Sequence, residues 1–119
     1  AAPRGLVLVI DDNHELRHTV RRQLARLGYA VIEAEGGEEA LALVETLPEI
    51  RAIVTDVVMP GMSGFRLARE AARLRPDLRI VLMTGFDGAD QADREGLSLP
   101  VLTKPFEPER LLRAIESAP

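Results

Sequence analysis

The chain has 119 residues, a formal net charge of −4, 46% hydrophobic and 29% charged side chains, two histidines and no cysteine. That length and composition fit one soluble globular domain, 1–119, with its own core. They exclude disulfides and thiolate metal sites, argue against a structural zinc site, which is usually built on cysteine, and offer nucleic acid no general attraction.

The longest apolar run, Leu6 to Ile10, is far too short to span a membrane, and no signal-peptide pattern opens the chain. A cytoplasmic domain without membrane contact is the expectation. The sequence begins with Ala and carries Ala and Pro at both ends. It reads as a domain cut from a longer protein rather than a processed product or a tag remnant.

In chain order, a strand is predicted near 5–11, ending at Asp11-Asp12. A helix follows near 13–27. Asp12 or Asn13 caps it, with Glu15 available for a capping box, and Gly28 ends it. Leu16, Val20, Leu24 and Leu27 form its inward stripe, and Arg17, Arg21, Arg22 and Arg26 fall largely off it as a solvated face. His14 and His18, one turn apart, read as exposed helix surface. A strand near 29–34 precedes a helix near 36–47, which turns Ala40, Leu41, Val44 and Leu47 inward and stops before Pro48. A third strand, 51–56, ends at Asp56. The helix near 63–74 starts at Ser63, buries Leu67, Ala71 and Leu74, and is broken by Arg75-Pro76-Asp77. A fourth strand, 79–84, ends at Thr84. The helical pattern near 87–96 has Ala89 and Ala92 as nearly its only apolar members, and is expected to pack poorly and move easily. A short strand, 100–103, leads to Lys104 and a last helix near 107–117 that buries Leu111, Leu112 and Ile115.

Near-continuous apolar strands alternating with helices predict an α/β fold. It is a doubly wound, five-stranded parallel sheet of order 2-1-3-4-5, in the flavodoxin-like sandwich arrangement. In such sheets ligands bind outside the carboxyl ends of the strands. Those ends carry Asp11/Asp12, Asp56, Thr84 and Lys104. Each has an ordinary explanation alone: a helix cap, a turn, a strand-end hydroxyl, a solvated surface residue. Their joint arrival at one edge points to chemistry. Lys104 is moreover the only lysine among fifteen basic residues, and an ammonium is a compact point charge that arginine does not reproduce. Three clustered carboxylates repel and need cations. Lys104 supplies one, and Mg²⁺, which takes oxygen ligands and keeps several waters, is the natural second. One carboxylate can then act as a nucleophile toward a phosphoryl group whose charge the cations neutralise.

Four segments together resemble the receiver domain of two-component response regulators, across essentially the whole chain. They are Asp11-Asp12, Asp56-Val57-Val58-Met59-Pro60-Gly61-Met62-Ser63-Gly64, Thr84-Gly85 and Lys104-Pro105-Phe106. The resemblance implies a phosphoacceptor, Asp56, charged from a phosphohistidine on a histidine kinase or histidine phosphotransfer protein. It implies Asp12 and Asp56 as direct Mg²⁺ ligands with the Val58 backbone carbonyl, and Asp11 as a ligand through water. Lys104 would pair with the phosphoryl oxygens, Thr84 would swing to bond one of them, and Lys104-Pro105 would be a cis peptide. The helix 4–strand 5–helix 5 face would be the output surface, acting on a downstream protein or a fused domain. Val101 stands where the family usually carries an aromatic, so switching is expected to rest on Thr84 and on the soft fourth helix. Val58 and Phe86, two residues beyond Asp56 and Thr84, are apolar and are expected to hinder water and prolong the phosphorylated state.

The ending Val-Leu-Thr-Lys-Pro-Phe is similar to receivers attached to hybrid histidine kinases. A stand-alone regulator and a receiver cut from a DNA-binding regulator are the alternatives, and nothing in this chain would itself read DNA. The receiver reading is non-enzymatic, beyond promoting its own phosphorylation and dephosphorylation. The competing enzyme reading is a Mg²⁺-dependent phosphohydrolase using an aspartyl phosphate, but the chain shows no cap domain or substrate pocket, and Val58 rather than Asp stands two residues after Asp56. A flavodoxin-like cofactor site is opposed by the acidic loop after strand 1, which would repel a phosphate. A degenerate receiver is opposed by the complete set of acidic, hydroxyl and ammonium residues.

Overall fold

The computed structural model describes residues 4–85, 96 and 98–117. The elements are β1 (Leu6–Ile10), α1 (His14–Arg26), β2 (Ala30–Ala34), α2 (Gly37–Thr46), β3 (Ile50–Asp56), α3 (Gly64–Leu74), β4 (Arg79–Thr84), β5 (Val101–Thr103) and α4 (Pro108–Ser117). Phe86 and the helix predicted over 87–96, apart from Gly96, lie outside the described residues. The strands form one parallel sheet in the order β2-β1-β3-β4-β5.

Strand side chains alternate between two cores, which is why the apolar runs have almost no polar interruptions. Leu8, Ile10 and Ile53 face one side, covered by Ala40 and Val44 of α2 and Leu67, Ala68 and Ala71 of α3. Val7, Val9 and Val54 face the other, covered by Val20 and Leu24 of α1 and Leu111, Ala114 and Ile115 of α4. The register pairs Ile10 with Thr55, Asp56 with Met83, and Thr84 with Thr103. The residues at and just beyond the strand ends therefore emerge side by side on one edge.

Local signals set the helix boundaries, with one correction at the start of α1. Asn13, not Asp12, caps α1, its side chain accepting the Leu16 N–H at 3.1 Å. Glu15 therefore falls one position short of the third helical residue, and no capping box forms. The inward stripe of α1 is Arg17, Val20 and Leu24; Leu16 is 42% exposed, and Arg17, expected in solvent, is buried. Leu74, the last residue of α3, is also exposed rather than inward.

The edge opposite the site is tied together by one carboxylate. Glu116 accepts the Tyr29 hydroxyl at 2.5 Å and pairs with Arg51 and Arg79 at 3.3 Å each, linking α4 to the start of β2, to β3 and to β4. The Tyr29 bond and the neighbouring guanidiniums hold the Glu116 carboxyl below its ordinary 4.5. Burial and Glu116 push the Tyr29 phenol up to about 12. A depressed carboxyl contributes stability that is present above its unfolded value and is lost as pH falls through its folded value. Glu116→Gln is thus expected to lower the melting temperature at pH 7, with the deficit shrinking as pH falls below about 4; thermal melts across pH check this.

Candidate functional site

β1 runs out of apolar residues at Ile10, and the turn into α1 places two carboxylates at the sheet edge. Asp11 is fully buried. Its Oδ1 accepts the Asn13 N–H at 2.9 Å, and its Oδ2 lies 3.3 Å from Lys104 Nζ. Asp12, beside it, is exposed. β3 ends at Asp56, whose Oδ1 accepts the Val57 N–H at 3.0 Å and lies 3.3 Å from the same Lys104 Nζ. Ligand oxygens of Asp11, Asp12 and Asp56 all lie within 4.8 Å of one another.

The chain after Asp56 is held close. Val57 N–H also donates to the Met83 carbonyl at 3.0 Å, and Gly64 N–H donates to the Val57 carbonyl at 2.9 Å. Ser63 caps α3 by accepting the Arg66 N–H at 3.2 Å. Only glycine fits at position 64, because a Cβ there would lie 2.2 Å from the Asp56 carbonyl oxygen. The Pro-Gly-Met-Ser-Gly sequence is thus a tight return with Gly61 at φ +77°, bringing the helix backbone down onto the strand end. Val58, two residues past Asp56, is 73% exposed on this loop.

Thr84 closes β4 and is buried, and its carbonyl accepts the Lys104 N–H at 2.7 Å. β5 ends one residue before Lys104, and the Lys104–Pro105 peptide is cis. Val101 opens β5 half-buried and packs against the α2/α3 side of the sheet. Asp11, Asp12, Asp56 and Lys104 therefore meet in one cluster, with Thr84 bonded to the backbone of Lys104 and the Val58 loop beside Asp56. An apolar groove of about 330 Å³ opens next to Lys104 and Pro105 and runs past Leu16, Val20 and Gln23 of α1. His14 is exposed and His18 partly so, with ring centroids 4.4 Å apart, edge to face.

One residue escaped the periodicity. Arg17 lies behind Asp11 and bonds its carbonyl at 2.9 Å and Glu33 at 2.8 Å. The readable signal was Glu33 itself, a charge inside the apolar β2 run Ala30-Val31-Ile32-Glu33-Ala34, which demands a buried partner.

Burial pushes the Asp56 carboxyl above its ordinary 3.8; Lys104 pulls it back, Asp11 pushes it further up, and the Val57 N–H lowers it. A carboxyl raised by folding contributes stability below its unfolded value and loses it as pH rises through its folded value. At neutral pH and without a divalent cation, ionised Asp56 is consequently a cost. Asp56→Asn is expected to stabilise the cation-free protein at pH 7 by about 1 kcal/mol. The gain should vanish near pH 3.5 and shrink when Mg²⁺ is added, and melts in chelator against Mg²⁺ measure it.

Residues 7–116 match the family model of the response regulator receiver domain. The chain is 33% identical over 115 residues to the response regulator receiver protein CpdR of Brucella abortus, covering 92% of each. It is 35% identical over 115 residues to the sensor kinase CckA of Brucella abortus, covering 92% of this chain but 12% of that one. Among solved structures, a response regulator protein from Burkholderia pseudomallei superposes with a TM-score of 0.81 at 35% identity, covering 95% of this chain and 67% of the other. That structure carries a phosphorylated aspartic acid, a calcium ion and citrate. With a five-stranded sheet in the 2-1-3-4-5 order and an acidic cluster at its carboxyl edge, the chain belongs to the response regulator receiver family.

Proposed function

We propose that this domain is the phosphoacceptor of a two-component phosphorelay. Asp56 takes a phosphoryl group from a phosphohistidine on a histidine kinase or histidine phosphotransfer domain, with Mg²⁺ at the acidic cluster. The observation that carries this reading is the convergence, at strand ends far apart in sequence, of Asp11, Asp12 and Asp56 with carboxylate oxygens within 4.8 Å of one another, and of Lys104 at 3.3 Å from Asp11 and Asp56.

The donor set fits a hard divalent cation: it consists of oxygens only, and three carboxylates exceed the single charge of Lys104. Asp11, Asp12 and Asp56, with the Val58 carbonyl, would hold it. The bound cation would supply neutralisation of the carboxylates and of the incoming phosphoryl oxygens. Asp56 Oδ1 is already engaged by Val57 N–H and Lys104, so we assign bond formation to Oδ2. Oδ2 bonds to phosphorus as the P–N bond to the donor imidazole breaks, and the released imidazole nitrogen takes up a proton. The Lys104 ammonium then exchanges part of its contact with the carboxylates for the phosphoryl oxygens. Thr84, at the end of the neighbouring strand, supplies the hydroxyl.

The groove past Leu16 is where we place the donor protein, since an exposed leucine in a groove that reaches Lys104 suits an apolar contact. The resulting change would reach a downstream protein or a fused domain through Thr84 and the segment 87–96, because Val101 offers no aromatic to swing. Similarity to both a receiver protein and a sensor kinase fits a module used in more than one parent chain, including a hybrid kinase. A cytoplasmic setting belongs to the same reading, and among the described residues no helix is long and apolar enough to cross a membrane.

Incubation with acetyl phosphate and Mg²⁺ is expected to add one phosphoryl group to the intact mass. Hydroxylamine should remove the group, chelator should suppress it, and Asp56→Asn should abolish it. A gain that persists in Asp56→Asn would place the acceptor elsewhere. Sustained phosphate release over many turnovers would favour the phosphohydrolase reading instead. Val58→Asn should shorten the lifetime of the phosphorylated protein severalfold by giving water a polar anchor beside Asp56; the decay of the mass-shifted species measures it.

A further inference from the structure

We propose that Arg17 is a positioning residue for the cation site, setting the orientation of the Asp11–Asp12 peptide from behind. The inference rests on the reading of the acidic cluster as a Mg²⁺ site.

Arg17 lies on the inward stripe of α1 with its side chain 7% exposed. Its guanidinium donates in three directions. One terminal nitrogen reaches the Asp11 carbonyl at 2.9 Å, the other reaches His14 Nδ1 at 2.7 Å, and Nε reaches Glu33 Oε1 at 2.8 Å. Arginine has only donors, so His14 Nδ1 is the acceptor. The three partners belong to the β1–α1 turn, the first turn of α1 and β2. Glu33 is itself held by Arg21 at 3.4 Å.

The contact with the Asp11 carbonyl matters because of Asp12. Asp11 has other anchors: its N–H donates to the Ala34 carbonyl, and its carboxylate meets Asn13 and Lys104. Asp12 makes no hydrogen bond or ion pair with any of the described residues. Its carboxylate is placed by the backbone alone, and the peptide plane leading into it is the one Arg17 holds. Releasing that carbonyl lets the plane rotate and moves Asp12 relative to Asp56.

Stability does not explain this arrangement. A buried Arg–Glu pair is weak evidence for stability, because desolvation offsets its attraction and apolar replacements are often as good. Nor does long-range charge explain it, because Glu33 neutralises the guanidinium locally. What the pair supplies is geometry: the rigid planar fork holds acceptors on three segments in fixed directions, whereas the three donors of a lysine ammonium share one nitrogen on a flexible stem.

The test is Mg²⁺ affinity by calorimetric titration on folded protein, for wild type, Arg17→Lys, Glu33→Gln and Glu116→Gln. Arg17→Lys is expected to weaken Mg²⁺ binding about tenfold, as loss of an outer-shell partner does at other metal sites. Glu33→Gln should weaken it severalfold, by loosening the fork while keeping the arginine. Glu116→Gln, at the opposite edge, should lower the melting temperature and leave Mg²⁺ affinity at the wild-type value. Wild-type affinity in Arg17→Lys, with only a lower melting temperature, would reduce Arg17 to a structural role and overturn the proposal. Should Arg17→Lys not fold, wild-type affinity in Glu33→Gln would overturn it equally. Absence of Mg²⁺ binding by the wild type would overturn this inference together with the reading of the site.

Discussion

One ammonium stands between two carboxylates, 3.3 Å from each, and the carboxyl edge of the sheet depends on it. Folding drives Asp11 into full burial and Asp56 most of the way there, with Asp12 close by. Like charges this near each other resist ionisation, and loss of water makes the resistance larger. Lys104 offsets part of the repulsion and leaves the remainder unbalanced, which is the condition under which an oxygen-liganded cation binds well. The site's suitability for a cation and its cost to the fold therefore share one cause, the unbalanced negative charge of the cluster.

The two edges of the sheet are built on opposite logic. At the site edge, charge is in excess and the acidic side chains are satisfied only in part. At the far edge, Glu116 gathers a tyrosine and several arginines, tying α4 to the strand starts. Between them lie two apolar layers with fully buried Leu, Ile and Val side chains. That division lets one edge carry electrostatic strain while the strands that present it stay fixed, because their other ends are clamped. Gly64 extends the same rigidity to α3, whose first backbone turn rests directly on Asp56.

Most of the architecture was legible because buried parallel strands leave a strong pattern. Five short β-branched runs punctuated by charged or hydroxyl residues suffice for sheet order and for the edge at which the site forms. Asp56 and Lys104 were legible as the residues that end such runs. The errors came where periodicity competes with a specific contact. Leu16 fits the apolar spacing of α1 as well as Val20 does, yet it is exposed, because the stripe is rotated to bury Arg17. Periodicity assigns charges to solvent by default, and only the complementary charge in β2 shows that Arg17 has somewhere inside to go. Capping was legible only as a pair: Asp12 and Asn13 are equivalent by type, and the structure makes Asn13 the cap, with its own N–H taken by the Asp11 carboxylate.

Because Lys104 is the only lysine in the chain, the domain presents a single side-chain amine, and that amine is the counter-charge of the site. Reagents that acylate amines therefore have one side-chain address here. Their rate at that address reports how tightly the ammonium is engaged by its two carboxylates. Acylation would also erase the positive charge and leave Asp11 and Asp56 facing each other unscreened. The arginine-rich composition of the rest of the surface makes this chain a natural single-position probe of its own site.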